Sequence, residues 1–402
     1  MDCQQQRIAE DLSSLIAGDV RCDPVALSIY ASDASLYQVP PLCIAFPRDR
    51  NDLISIARYA SEMNIPMIPR GAGTGLVGDA IGSGIVIDCA RYMNAFELIN
   101  DKLVHVQPGV VHAQLNRYLK TQGLYFPPDP SNTEVTTLGS MLAIDAAGSR
   151  AIRVGSTRDY INRLELILAD GTCFEAGNES LSILNQPSPM GSGTSLLSEP
   201  TPEARGEHAK RTILSKLSKL LNDHAALIQE KQRSGIPNCS GYYLKGIKSR
   251  QNLNLARMLV GSEGTLALFS SALVHVSPLP AHRGVALLLF GDLASAIKAV
   301  QTIIHEQPSA CDLLDRRLLS LISPAAEAAL LVEQVGFSDA QVQQRLHNVI
   351  LAVKNINSRV VVAMESHQPD EVDFLWSLPQ KVVPSLSRLP GESRPQPFVE
   401  DI

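Results

Sequence analysis

The sequence predicts an α+β protein of two domains, and three observations predict it. Short apolar runs bounded by turn residues recur along the first part of the chain and read as strands: "IPMIP", "GIVIDC", "LVHVQPGV", "RLELILADG" and "LALFSSALVHV". Helical periodicity interrupts these runs without alternating regularly with them. After "VSPLPAH" (Val276 to His282) a fresh block opens, so a second domain begins near residue 277. At 402 residues, 45% hydrophobic and 19% charged, the chain has room and apolar content for both.

In chain order, residues 5 to 17 read as a helix, and "NDLISIARYASEMN" as a stronger one, with Asn51 as its cap and Leu53, Ile54, Ile56, Ala57, Ala60 and Met63 on one stripe. Further helices are expected over Val111 to Gly123 and Arg211 to Lys231. Between Asn185 and Gly206 the composition turns to Ser, Pro, Gly, Glu and Thr, which predicts a flexible surface insertion. The second block offers a strand, "GVALLLF", a helix, "DLASAIKAVQTIIHEQ", then "DLLDRRLLSLI" and a strand, "SRVVVAMES". The last residues, "PGESRPQPFVEDI", read as an extended segment, as expected of the N-terminal piece of a longer protein.

The net charge of -6 supplies no basic face of the kind that nucleic acid or an anionic membrane requires. The seven cysteines are scattered and never form CxxC, which argues against a disulfide framework, a zinc ribbon or an iron-sulfur cluster and fits a cytoplasmic protein. No signal peptide and no run of transmembrane length is read.

The densest chemical signal is "PRGAGTGLVG", Pro69 to Gly78. Glycines let backbone N–H groups converge on an anion without a Cβ in the way. Gly73 to Gly78 spells GxGxxG, but the Rossmann fingerprint needs a helix after it, and "DAIGSGIVIDC" runs into another strand. The Walker A pattern fails at Asp79, where a lysine is required. A glycine-rich loop without a ligand stays open on these residues alone. Three further stretches accompany it: "PPDPSNTEVTTLGSMLAIDAAGSRAIRVGSTRDYI" (Pro127 to Ile161), whose small residues let backbone lie against a flat ligand, "NCSGYYLKGI" (Asn238 to Ile247), and "LVGSEGTLALF" (Leu259 to Phe269), read as a turn flanked by strands.

In that order, from about residue 30 to 402, the chain resembles the FAD-binding family of vanillyl-alcohol oxidase and p-cresol methylhydroxylase (PCMH), and within it the D-2-hydroxy acid dehydrogenases for D-lactate, glycolate and D-2-hydroxyglutarate. "SDASLYQVPP", "ARYMN", "AIDAAG" and "RPQPFVEDI" are most similar to the long branch in which a flavin half is fused to an iron-sulfur half. The resemblance implies an N-terminal helix over 1–29, a two-subdomain PCMH-type FAD-binding domain over 30–276, and a partial ferredoxin-like α+β substrate cap over 277–402. It implies that Arg70, Gly71, Ala72, Gly73, Thr74, Gly75 and Leu76 wrap the FAD pyrophosphate. Asp129, Thr137, Gly139, Ser140, Met141, Ala146 and Gly148 would run beside the ribityl chain and flavin ring, and Glu263 would stand near the adenosine. Some relatives link the flavin to a loop histidine; no histidine precedes His105, so non-covalent FAD is expected.

The implied reaction is oxidation of a small D-2-hydroxy acid to the 2-oxo acid, with electrons passed to an iron-sulfur partner or a quinone, in the cytoplasm or peripheral to the inner membrane. The alternatives are an O₂-using flavin oxidase of alcohols or sugars, and an FAD-binding fragment without activity of its own. Relatives place a carboxylate-gripping arginine three residues after a tryptophan, where this chain has Pro379 after Trp376. Lys381, Arg388 and Arg394 are candidate substitutes, and the relatives' downstream histidine segments lie beyond Ile402. His367 is weighed as a base and read as a surface residue; His105, His112 and His275 are read as structural. No catalytic residue is assigned and no metal site is expected.

Overall fold

The computed structural model describes residues 3–186, 201–232, 241–320 and 326–380. Helix α1 (Cys3–Leu15) packs Ile8, Ala9 and Leu12 inward, and β1 (Asp19–Arg21) and α2 (Pro24–Tyr30) follow. Strand β2 (Cys43–Phe46), helix α3 (Arg50–Glu62), β3 (Met67–Arg70) and β4 (Ile85–Asp88) complete the first unit. Its four-stranded sheet has the order β1-β2-β4-β3, antiparallel at β1 and parallel elsewhere. The cap of α3 is Asp49, which accepts from the N–H of Asn51 and Asp52, so Asn51 lies inside the first turn instead of capping it. Asp52, buried, accepts from Ala17, Gly18 and Arg48 and so fastens the N-terminal segment to α3.

The second unit contains β5 (Phe96–Asn100), β6 (Leu103–Val106), α4 (His112–Lys120), β7 (Leu124–Tyr125), α5 (Leu138–Ile144), α6 (Ala151–Val154), β8 (Ile161–Ile167), β9 (Cys173–Ala176) and β10 (Asn178–Ser180). It continues through α7 (Pro202–Asp223), α8 (Ala225–Lys231), β11 (Asn252–Asn254), α9 (Leu255–Leu259), β12 (Leu268–His275) and β13 (Ser277–Pro278). An antiparallel sheet of order β5-β6-β12-β8-β9 forms its floor. Strand β12 alternates buried and half-buried residues over its eight positions, as a sheet covered on one face requires. The helix expected over 211–231 begins earlier, capped by Thr201, and breaks at His224; Pro202 to Gly206 therefore belong to α7, and 187–200 of the expected insertion lie outside the described residues. The turn at 261–265 is preceded by α9, not by a strand, because Asn254 caps a short helix there.

The third unit runs β14 (His282–Phe290), α10 (Leu293–Ile303), β15 (Ala310–Asp315), α11 (Arg316–Ser320), β16 (Ala328–Gly336), α12 (Asp339–Ile356), β17 (Val361–Ser366) and α13 (Pro369–Gln380). The all-antiparallel order β15-β16-β14-β17 with α10 and α12 on one face is the ferredoxin-like βαββαβ arrangement. Strand β16, buried from Ala328 to Gln334, is an element that the residue-level reading lacks. Helix α13 packs on the opposite face through Val372 and Leu375. No helix among the described residues is long and apolar enough to cross a membrane.

Candidate functional site: a cavity between the glycine loop and helix α5

Strands β3 and β4 are parallel neighbours, yet residues 71–84 join them without a helix. Parallel pairs are usually bridged by a helical crossover. Here the crossover is the glycine loop itself, and it forms one wall of a cavity of about 320 Å³. Arg70, Gly71, Gly73, Thr74, Gly75, Thr137, Gly139, Ser140 and Glu263 all line this cavity, together with apolar walls from Met67, Ile87, Ala267 and Leu268.

Arg70 braces the loop from within. Its Nη2 donates to the carbonyl of Ser32 at 2.9 Å, its Nη1 to that of Ala80 at 3.2 Å, and its guanidinium stacks over the Tyr30 ring at 5.1 Å. Gly73 adopts φ +67°, which strains any L side chain, and a Cβ there would also stand 2.5 Å from Arg70 Nη2 and displace the guanidinium. A Cβ on Gly71 would overlap Ser140 Oγ and stand 2.8 Å from Thr137 Oγ1; the loop thus lies flush against the start of α5.

Thr137 caps α5: its Oγ1 accepts from Ser140 N–H at 3.3 Å and meets Ser140 Oγ at 3.0 Å. The N–H groups of Leu138 and Gly139 go to the carbonyls of Val110 and Pro108. At the other end Asp145 takes the left-handed conformation, and the 261–265 turn docks there. Gly261 N–H donates to Leu142 O at 2.9 Å and Glu263 N–H to Ala143 O at 2.8 Å. Arg158 locks this joint: it pairs with Asp145 at 3.2 Å, donates to Val260 O and stacks on Tyr243 at 4.2 Å. Burial raises the Asp145 carboxyl and lowers the Arg158 guanidinium, the price of a desolvated pair.

The donor set suits a ligand that is anionic in one part and apolar in another. Among the described residues, no protein acceptor takes the N–H groups of residues 72–75. Thr74, Thr137 and Ser140 add hydroxyls. Asp79, also on the wall and solvent-exposed as a residue, has its carboxyl pushed up chiefly by desolvation, with Asp33 adding to it. These features fit a phosphate-bearing cofactor such as FAD.

Other sequence-predicted residues stand elsewhere. Ala72 and Leu76 belong to the loop but not to the cavity lining. Met141 and Ala146 are buried in the core of the second unit, because their side of α5 and its exit packs against the sheet. Asp129 spends its carboxylate on Arg150, and Gly148 is pressed against the Asp129 carbonyl. Half-buried His367 bonds Gln343, while His112 is buried and its ring is held well below the usual range, at about 4, by that burial. Trp376 lies under the Arg150 guanidinium at 5.0 Å. Pro379 falls within α13, and Lys381, Arg388 and Arg394 lie outside the described residues.

The residue-level reading also lacks the cluster around Glu333. Arg150 meets both Glu333 oxygens at 2.8 Å, Arg283 donates to Oε2 at 2.7 Å and Ser309 Oγ to Oε1 at 3.0 Å. Burial alone would raise this carboxyl, but the arginines outweigh it and hold it at about 2. The one available signal was an acid inside the apolar run "AALLVEQVG".

A family profile described as "FAD binding domain" matches residues 41–177, and one described as "FAD linked oxidases, C-terminal domain" matches 279–402. The D-2-hydroxyglutarate dehydrogenase of Pantoea ananatis is 29% identical over 98% of this chain and 40% of its own length. The Escherichia coli protein of the same name is 26% identical over 92% of this chain and 38% of its own. Glycolate oxidase subunit GlcD of Bacillus subtilis is 26% identical over 93% of this chain and 67% of its own. The chain therefore spans about two fifths of the length of the first two relatives. A solved alkyldihydroxyacetonephosphate synthase superposes with a TM-score of 0.62 at 17% identity, covering 94% of this chain and 68% of that one, which shows a shared fold.

Proposed function

The chain belongs to the FAD-linked oxidases of PCMH type and takes FAD as its cofactor, and from that premise we propose that it oxidises a D-2-hydroxy acid to the 2-oxo acid. Bound FAD would supply the hydride acceptor for such a reaction. The observation that carries the reading is the convergence, on one cavity, of the glycine loop, the Thr137-capped start of α5 and the Glu263 turn, three segments far apart in sequence. In this reading the N–H groups of Ala72 to Gly75 and the hydroxyls of Thr74, Thr137 and Ser140 bind the cofactor non-covalently. Arg70, on the cavity wall, also braces the loop, and Arg158 holds the 261–265 turn in place. The substrates named for the relatives, D-2-hydroxyglutarate and glycolate, define the class proposed here. Electrons would then leave to an iron-sulfur partner or a quinone.

Protein reconstituted with FAD should turn yellow, and anaerobic D-2-hydroxyglutarate, glycolate or D-lactate should bleach the flavin bands. Absence of bound flavin after reconstitution would overturn the reading. A second reading, an FAD-binding portion inactive by itself, is favoured by the chain's two-fifths coverage of its dehydrogenase relatives. Flavin that stays bound and unbleached with all three acids would select it. Rapid reoxidation in air after bleaching would instead select an O₂-using oxidase.

A further inference from the structure

Three segments meet at Arg150. Its Nε and Nη2 form a two-pronged bond to Glu333 in the middle of β16, both at 2.8 Å, and its Nη1 bonds Asp129 at 2.5 Å. Asp129 immediately precedes Pro130, Ser131 and Asn132, which line the cavity. Ser149, next in the chain, donates to Asp312 on β15 at 2.6 Å. Glu333 is fully buried and also receives Arg283 of β14. One guanidinium thus spans the cavity wall and the sheet of the third unit.

We propose that Arg150 is a positioning residue: gripped by Glu333 and bonded to Asp129, it holds the adjoining 130–132 wall of the cavity in register with the sheet of the third unit, so that this sheet helps set the affinity of the cavity for flavin. The inference rests on the reading that the cavity holds FAD. Its physical ground is that a two-pronged arginine–carboxylate bond fixes orientation as well as distance. A buried carboxylate whose acceptor sites are taken by two arginines and a serine has no alternative arrangement of equal quality. Loss of the Glu333 charge leaves Arg150 with Asp129 and the Trp376 ring, and the wall keeps only the weaker reference of the neighbouring Ser149–Asp312 bond.

The test compares Glu333→Gln with Glu327→Gln, which breaks the exposed Arg316–Glu327 pair just ahead of the same strand. The expected result is an FAD dissociation constant raised about five- to a hundredfold, with an altered visible circular dichroism of the bound flavin, in Glu333→Gln only. Amide exchange of residues 125–135 in FAD-free protein reads the same link without flavin, and it should accelerate in Glu333→Gln only. If that variant does not fold, Arg150→Lys keeps the charge, loses the fork, and should shift both readouts in the same direction. Variants that melt earlier yet keep wild-type FAD affinity, flavin spectrum and exchange at 125–135 overturn the proposal. A wild-type protein that binds no FAD but shows the exchange effect overturns the flavin reading and leaves the link standing.

Discussion

Gly148→Ala probes the seam between the Ala146–Gly148 run and the cavity wall. A Cβ on Gly148 would overlap the carbonyl oxygen of Asp129 and stand 2.6 Å from both its carbonyl carbon and its Oδ1. Ordinary carbon–carbon contact lies near 3.5–4.0 Å, so the two backbone segments must part by about 1 Å. The obstacle is main chain and cannot rotate aside. Overpacking of this kind costs about 1–3 kcal/mol, which for a chain of this size is a fall of roughly 1–4 °C in Tm. The same displacement draws Asp129 from Arg150, so FAD affinity should fall together with stability. Urea unfolding and calorimetry with and without FAD measure both. Gly291→Ala is the control, since nothing lies within 4 Å of a Cβ there. If Gly148→Ala costs no more than Gly291→Ala and binds FAD equally well, the close approach does not exist as described.

Two further predictions follow from single residues. His112 has a folded-state value of about 4 against an ordinary 6.5, lowered by burial. Its neutral ring therefore contributes stability in full above about pH 6.5 that is lost as pH falls toward 4, because only the unfolded chain takes up the proton; the total is about 3 kcal/mol. Urea midpoints at pH 7.5 and 4.5 should differ by less in His112→Gln than in wild type, and equal differences would refute this assignment. Arg70→Ala removes the charged donor from the carbonyls of Ser32 and Ala80, at about 1.5–3 kcal/mol per lost bond where it is buried. Fluorescence titration should show FAD affinity reduced about tenfold or more, and an unchanged affinity would count against Arg70 as the brace of the loop.

The glycine loop was legible because its chemistry is local. Glycines at 71, 73 and 75, the strand-like runs on either side, and the missing helix after Gly78 are all visible within twenty residues, and the structure adds only what the loop leans on. The direction of a side chain is less local: Met141 on α5 and Ala146 just beyond it are buried in the cluster that also holds Leu164 and Val106, which no local pattern marks. Arg150 and Glu333 were illegible because 183 residues separate them and nothing in either neighbourhood marks the other. Strand β16 carries no local signature either, since its apolar run has neither helical nor alternating period, as expected of a strand covered on both faces.

The helix-free crossover between β3 and β4 has a consequence for how this site can drift. In a helix-borne anion site, one helix end concentrates the electrostatic work, and a single breaker abolishes it. In the reading proposed above, the peptide N–H groups of successive loop residues share that work with the hydroxyls of Thr74, Thr137 and Ser140. Substitutions at outward positions such as Ala72 or Val77 leave that shared grip almost intact, whereas a side chain at Gly71 or Gly73 strikes protein before it reaches any ligand. The loop's sequence is thus constrained by its own folding more than by what it binds, and variation across related chains should gather at the outward positions even where the ligand is the same.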